Sequence, residues 1–270
     1  MQIAEVKFTP WDRAYWFDPA GLALDLGDKV IVCTELGTEI GEVVGLSEID
    51  NERLSDLGGR ELKKISRKAT VIDLEKKAKK ETQKSEYLKI AHEAIKRHKL
   101  EMKVSDIHFS FDSGRVTFAF IADGRIDFRD LVKDLTHKFQ KSIRFHQIGV
   151  RDEAQCFGDF GPCGQKLCCR QFLDKLGQVS GDFIEAQQIA HRGGDRLSGM
   201  CGRLKCCLRY EQDLYEDLVK NLPAVGNRVR TDHGRGEIVS HNILKQSVNV
   251  KLDGEEKNII EVPIKKEKNS

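Results

Sequence analysis

Three cysteines recur in one arrangement. Residues 161–169 read GPCGQKLCC and residues 199–207 read GMCGRLKCC. Both copies follow G-x-C-G-[Q/R]-x-x-C-C, so Cys163, Cys168 and Cys169 are answered by Cys201, Cys206 and Cys207. The thiolate form of cysteine ligates metals, and four thiolates around one centre suit either tetrahedral zinc or an iron–sulfur cluster. Spacing bears on that choice without closing it. Structural zinc sites usually leave roughly two to four residues between paired cysteines, and Cys163 and Cys168 lie at the edge of that range. Adjacent cysteines diverge, which is awkward for one small ion. A cluster has corners several ångströms apart and takes adjacent or distant ligands more readily. Gly164 and Gly202 let the backbone turn tightly and are expected to offer N–H groups to sulfur, while Lys166, Arg170, Arg203 and Lys205 would offset thiolate charge. Disulfide or thiol-switch chemistry at the vicinal pairs, and buried cysteines without a ligand, are the competing readings.

The compartment decides among them. The chain has 270 residues, a formal net charge of +2 and about a third of its residues charged, so no basic excess demands nucleic acid. Its first residues, MQIAEVKFTPWDRAYWF, lack the basic and apolar regions of a secretory signal, and runs such as KVIVC and VTFAFIA are too short to span a bilayer. A cytoplasmic protein without direct membrane insertion is therefore expected. There disulfides are rare, and clustered cysteines more often bind metal or do redox chemistry. Of the eight cysteines, Cys33 in VIVCT reads as a core residue, and for Cys156, which stands before the first copy, a role as spare ligand is the minor reading. His191, between the copies, reads as an exposed or hydrogen-bonding histidine rather than a ligand.

The elements that must position the cysteines suggest an α+β chain in four parts. Residues 1–60 alternate β-branched and polar residues with glycines at the turns, as a small SH3-like β-barrel does. Residues 213–270 share that grammar: Gly27-Asp28-Lys29-Val30 parallels Gly226-Asn227-Arg228-Val229, and Gly41-Glu42-Val43-Val44 parallels Gly236-Glu237-Ile238-Val239. A second SH3-like barrel is expected there. Residues 66–150 read as a ferredoxin-like split βαβ domain: a strand at KATVIDL, one helix carrying Tyr87, Leu88, Ala91 and Ile95, and a hairpin turning at Asp112-Ser113-Gly114. A helix with Phe128, Leu131, Val132, Leu135 and Phe139 on one face and a strand at SIRFHQIGV complete it. Residues 151–212 are glycine- and cysteine-rich and poor in apolar periodicity, with one short helix near DFIEAQQIA. Such a segment has little to bury and needs another source of order, such as a metal.

Chemistry beyond the cysteines is sparse. There is no C-x-x-C, no phosphate-binding glycine loop and no recognisable nucleophile–base pair, and Asp12/Asp18 and Asp152/Glu153 read as turn residues. A non-catalytic protein is expected. A nucleic-acid-binding module is the alternative, motivated by the basic run RKATVIDLEKKAKKETQK and by Trp11, Tyr15, Trp16 and Phe17. The plainer readings are a solvated helix face and aromatics packed beneath a barrel.

The stretches FDPAGLALDLGDKVIVCTELGTEIGEVV, DFRDLVKDL, QIGVRDEA, CGQKLCCRQFL and LSGMCGRLKCCLRYE together resemble the bacterial RicT (YaaT) family, which carries the polymerase-suppressor C-terminal conserved domain. The resemblance runs from about residue 6 to 260. It implies a non-catalytic cytoplasmic regulator that associates with small helical partners of the RicA (YmcA) and RicF (YlbF) types and carries [4Fe-4S] clusters. It further implies action with the endoribonuclease RNase Y in transcript maturation, with RNA as a candidate partner, and effects on sporulation, competence and biofilm formation. The resemblance places the metal ligands among Cys163, Cys168, Cys169, Cys201, Cys206 and Cys207, and favours iron–sulfur over zinc. Gln165, Lys205 and the approach HRGGDRLSG depart from the usual family pattern, which leaves the cysteine frame intact and bears instead on the surface offered to partners.

Overall fold

A computed structural model describes residues 2–35, 37–48, 62–173, 176–253 and 259–264. The chain is mixed α+β and divides after Phe157 into two compact units. The domain boundary read at residue 60 lies outside the described residues.

The first unit begins with an antiparallel sheet of β1 (Gln2–Lys7), β2 (Tyr15–Phe17), β3 (Lys29–Thr34), β4 (Gly37–Glu48) and β5 (Ile65–Lys68), ordered β2-β1-β4-β3-β5. Ala4, Val6, Phe17, Val30, Val32, Val43 and Ile65 form its core. The expected strands are present, but the described sheet does not close into a barrel. Its two edges meet at one point only, where Asp18 N donates to Lys63 O (3.0 Å) and Ile65 N donates to Asp18 O (2.9 Å). Cys33 is exposed on β3, 3.8 Å from Ser66 Oγ, and is not the core residue expected; a strand alternates its faces, and Val32 holds the inward position.

The rest of this unit comprises α1 (Val71–Glu81), α2 (Lys84–Arg97), β6 (Lys103–Phe109), β7 (Arg115–Ile121), α3 (Arg129–Phe139), β8 (Ser142–Gln147) and α4 (Val150–Phe157). The strand expected at KATVIDL is absent as such. Lys68 ends β5 and pairs with β3, and Val71 opens α1. Local capping wins over the apolar run: Thr70 and Asp73 form a reciprocal capping box, and Arg67 clamps the Asp73 carboxylate at 2.5 and 3.1 Å. The ferredoxin-like order therefore lacks its first strand. β7 pairs directly and in parallel with β8, giving a three-stranded sheet β6-β7-β8 instead of a split βαβ. The single expected helix is two, broken at Thr82–Gln83. Ala91, Ala94 and Ile95 of α2 pack with Leu131 and Leu135 of α3 on Ile107, Val116 and Phe118. The basic run is not wholly solvated, because Lys80 Nζ donates to Ser110 O (2.9 Å) and Phe111 O (2.5 Å), and burial lowers its pKa. Trp11, Ala119 and Ile148 form a separate small core with Cys156 packed on it, which accounts for that cysteine without a metal.

The second unit contains α5 (Cys168–Gln171), α6 (Asp182–Ala186), α7 (Gly194–Leu197) and α8 (Cys206–Lys220). An antiparallel meander follows, β9 (Arg228–Thr231), β10 (Gly234–Asn242), β11 (Ser247–Leu252) and β12 (Ile259–Pro263), again an open sheet. Tyr215 and Leu222 pack with Ile238, Ile243, Val248 and Val250. The parallel read between the two chain ends holds bond for bond. Gly27 N donates to Val43 O and Gly226 N to Ile238 O, both at 2.8 Å; Val43 N donates to Asp28 O and Ile238 N to Asn227 O, both at 2.9 Å. Both glycines sit at φ near +90°, the conformation that glycine alone adopts without strain. Gly41 and Gly236 are spatial equivalents too: an added Cβ would lie 2.3 Å from Val6 Cγ1 and 2.3 Å from Lys251 O respectively. Among the described residues no helix is long and apolar enough to cross a membrane.

Candidate metal centre

Each cysteine motif folds into the same knuckle. In the first, Gly161 N donates to Gln165 O (2.8 Å), Gly164 N to Gly161 O (3.0 Å) and Leu167 N to Asp159 O (3.2 Å). In the second, Gly199 N donates to Arg203 O (2.8 Å), Gly202 N to Gly199 O (3.0 Å) and Lys205 N to Leu197 O (2.9 Å). Isolated bridges Phe160–Lys166 and Ser198–Leu204 close the two loops. Gly164 and Gly202 have φ of +78° and +74°, so the glycine after the first cysteine is the residue that permits the turn. Their amides bond to carbonyls, not to sulfur as expected. Cys163 and Cys201 ride on the turns, 3.5 and 3.8 Å from where a Cβ on Gly161 and Gly199 would stand. The vicinal cysteines open a helix in both copies, α5 in the first and α8 in the second.

The copies diverge after that point. α5 ends within one turn, whereas α8 runs fifteen residues because Leu208, Gln212, Tyr215 and Leu218 recur at helical spacing and give it a face to bury. Sequence reading placed only α6 in this segment and missed α8, although that spacing was available to find it. Buried Gln187 anchors α6 to α8, donating through Nε2 to Leu208 O at 2.6 Å and to Gln212 Oε1 at 3.3 Å. Gln188 ties the segment to the meander, donating to His241 O (2.5 Å) and accepting from Ile243 N (3.1 Å).

α5 packs against α8, with the Phe172 and Tyr210 rings edge to face at 5.2 Å. That contact brings the knuckles together, so that Cys207 lies within electrostatic reach of Cys168 and Cys163. Burial pushes the Cys207 thiol up, reinforced by Cys168, Glu211 and Cys163, and this outweighs the hydrogen bond from its own backbone amide. Cys169 is buried, Cys168, Cys201, Cys206 and Cys207 are half-buried and Cys163 is exposed. Among the described residues no three cysteine, histidine or carboxylate side chains converge closely enough to hold an ion. The donor set itself is all thiol, six sulfurs at matched positions in two like-folded knuckles, and its chemistry fits a thiolate-ligated metal or cluster. His191 is exposed, as expected. Arg170 is tied by its guanidinium to Gly158 O (2.7 Å), leaving Lys166 and Arg203 as exposed cations beside the knuckles. Of the carboxylates read as turn residues, Asp18 accepts from Ala20 N (2.8 Å) and Asp152 from Gly149 N (3.0 Å), whereas Glu153 instead accepts from Lys103 Nζ (2.9 Å) and Ser105 Oγ (2.7 Å) of β6.

Comparison with known proteins agrees with this layout. Residues 63–148 match the PSP1 C-terminal conserved region, and residues 179–222 match the third domain of PSP1-like proteins. The chain is 39% identical over 255 residues to the stage 0 sporulation protein YaaT of Bacillus subtilis, covering 94% of this chain and 91% of that one. An uncharacterized protein of Schizosaccharomyces pombe is 28% identical over 167 residues, 53% of this chain and 22% of its own length. No solved structure gives a significant match.

Proposed function

Since the chain belongs to the family of the stage 0 sporulation protein YaaT, we propose that it is a non-catalytic regulator linked to sporulation, built around a metal-stapled binding segment. The observation that carries this reading is the pair of identically bonded knuckles, packed through α5 and α8 so that thiols from both copies approach one another. Cys163, Cys168, Cys169, Cys201, Cys206 and Cys207 would hold the group; their thiolates suit either metal, and the family resemblance favours a [4Fe-4S] cluster, with zinc as the alternative. When bound, such a group supplies cross-links, and a thiolate-ligated cluster adds sensitivity to oxygen and iron supply. The chain's own part is to hold the two turns rigid, to seat α8 on the meander through Tyr215 and Gln246, and to present Phe160, Phe172 and Tyr210 at the surface. Small helical proteins of the RicA and RicF types are the proposed occupants of that surface, and RNase Y the enzyme so regulated.

Anaerobic purification followed by metal and sulfide analysis and a visible spectrum tests the reading. Iron, acid-labile sulfide and a broad band near ~400 nm, lost in both Cys168→Ser and Cys207→Ser, are expected. Stoichiometric zinc without colour would replace the cluster and favour a zinc-stapled nucleic-acid-binding module. Metal-free protein, alone and co-expressed with its partners, would remove the staple from the proposal.

A further inference from the structure

Strand β8 is an edge of the three-stranded sheet in the first unit, and among the described residues it pairs with β7 alone. Its ladder shows which backbone groups that leaves over. Ser142 N donates to Gly114 O (3.0 Å) and Ile148 N to Phe120 O (2.8 Å), so the even-numbered residues bond towards β7. In a parallel pair the alternate residues face the opposite way. Ile143, Phe145 and Gln147 therefore turn their N–H and C=O groups outward, where no described residue bonds them.

The side chains make this edge different on its two faces. Ile143 and Phe145 stand level with buried Val116 and Phe118, and pack on the same core while staying half-exposed. α3 lies against β8, and the ring of Phe128, just before that helix, is 5.3 Å from the Phe145 ring. An apolar shelf between a strand edge and a helix is the setting in which extended peptides add to sheets. Arg144 and His146 belong to the other face, with Arg144 exposed and in no ion pair among the described residues.

Charge selects the occupant. From Leu135 to Val150 the chain has no carboxylate and carries Lys138, Lys141 and Arg144. At the start of α3, Asp127 is paired with Arg129 (2.6 Å) and Asp130 with Lys133 (3.0 Å). On the Arg144 side, Glu39 accepts from His108 Nε2 (2.8 Å), Asp12 from the Tyr15 hydroxyl (3.2 Å) and Glu35 from Lys63 (3.3 Å). Joining two β8 edges antiparallel in full overlap would set Arg144 opposite Arg144 or His146 of a second copy, with no carboxylate to answer it. That arrangement opposes self-pairing and favours an acidic strand. We propose that the β8 edge binds an extended acidic segment of a partner protein by strand addition. The segment's backbone bonds Ile143, Phe145 and Gln147, an apolar side chain rests against Phe145 and Phe128, and a carboxylate meets Arg144. The site is independent of the metal reading, since every residue in it precedes Phe157.

Backbone amide exchange, followed by NMR on the full chain, tests the proposal. In the free protein the amides of Arg144 and His146 should exchange slowly, and those of Ile143, Phe145 and Gln147 fast. An octapeptide alternating valine and glutamate should bind saturably and slow those three amides, whereas one alternating valine and lysine should not. Gln147→Pro removes an outward N–H without touching the ladder to β7, and should weaken binding roughly fivefold. Arg144→Glu, an exposed change, should weaken the glutamate peptide by about tenfold and admit the lysine peptide. Circular dichroism checks that both variants fold. Slow exchange at all five amides in dilute free protein would show the edge covered from within, and slowing that grows with protein concentration would show a second copy on it. Either result overturns the proposal, as does absence of binding, equal affinity for the two peptides or indifference to Arg144→Glu.

Discussion

Asp112 ties a hairpin turn to a neighbouring sheet through one carboxylate. It accepts from Ser110 Oγ (2.6 Å), Gly114 N (3.0 Å) and Thr38 N (3.2 Å), and the Ser110 hydroxyl foremost holds its pKa below the usual carboxylate range. A depressed pKa stabilises the fold above the unfolded value of about 4, and that stability is lost as pH falls through the folded value. Asp112→Asn should therefore lower the urea midpoint at pH 7, and the gap to the parent should narrow as pH falls from about 5 towards 2. A gap that stayed constant would show that charge plays no part. At the start of α1, Thr70→Ala removes one half of the capping box and should cost about 1 kcal/mol by the same measurement. Arg230 and Arg235 stand directly opposite each other on β9 and β10, both exposed. Like charges so placed repel, so Arg235→Thr is expected to raise stability by roughly 0.2–1 kcal/mol.

At the scale of elements, the two knuckles are one device used twice. Gly164 and Gly202 occupy the left-handed region with nothing within 4 Å of an added Cβ, so alanine there is opposed by backbone conformation and not by crowding. Each Gly→Ala change should cost about 1–2 kcal/mol of knuckle stability, and the two costs should be alike because the loops share their backbone hydrogen bonds. On the proposed metal reading, competition with a chelator is the readout, with each variant losing metal at a lower chelator concentration than the parent. Markedly unequal losses would mean that the copies, alike in backbone, do not contribute alike. Their different continuations set a further asymmetry: α8 is fixed to the meander by Tyr215 and Leu222, whereas α5 has α8 as its support.

Across the whole molecule, stability is divided. Ile107, Val116, Phe118, Leu131 and Leu135 build a core in the first unit that owes nothing to the cysteines, and the second unit has the smaller core around Ile238, Val248 and Val250. Whatever binds only the folded form stabilises only the part it binds. Calorimetry is expected to show two transitions, with chelation or Cys207→Ser lowering the one that belongs to residues 158–270 and leaving the other in place. A single transition, or an equal drop in both, would show that the units unfold as one.

Local chemistry was legible in the sequence wherever the causes lie within a few residues. The glycine turns at Gly27 and Gly226, the hairpin at Asp112-Ser113-Gly114, the helix over Arg129–Phe139 and the doubled cysteine frame are all set by backbone freedom or by periodicity, and they appear where they were read. What failed turned on competition between distant or opposed partners. Val71 and Ile72 look like strand residues, yet a Thr70–Asp73 cap clamped by Arg67 claims them for a helix and leaves them exposed. β5 joins β3 rather than the three-stranded sheet, because pairing is decided by which edge is within reach, and composition does not carry that information. Cys33 falls on the outer face of β3 because a register of one residue reverses every side chain. The six cysteines were visible as a set, but the approach of Cys207 to Cys168 and Cys163 depends on α5 packing against α8, and the small core of Trp11, Ala119 and Ile148 on residues drawn together from across the first unit. Those juxtapositions are made by burying side chains far apart in the chain, which is why only the tertiary structure decided them.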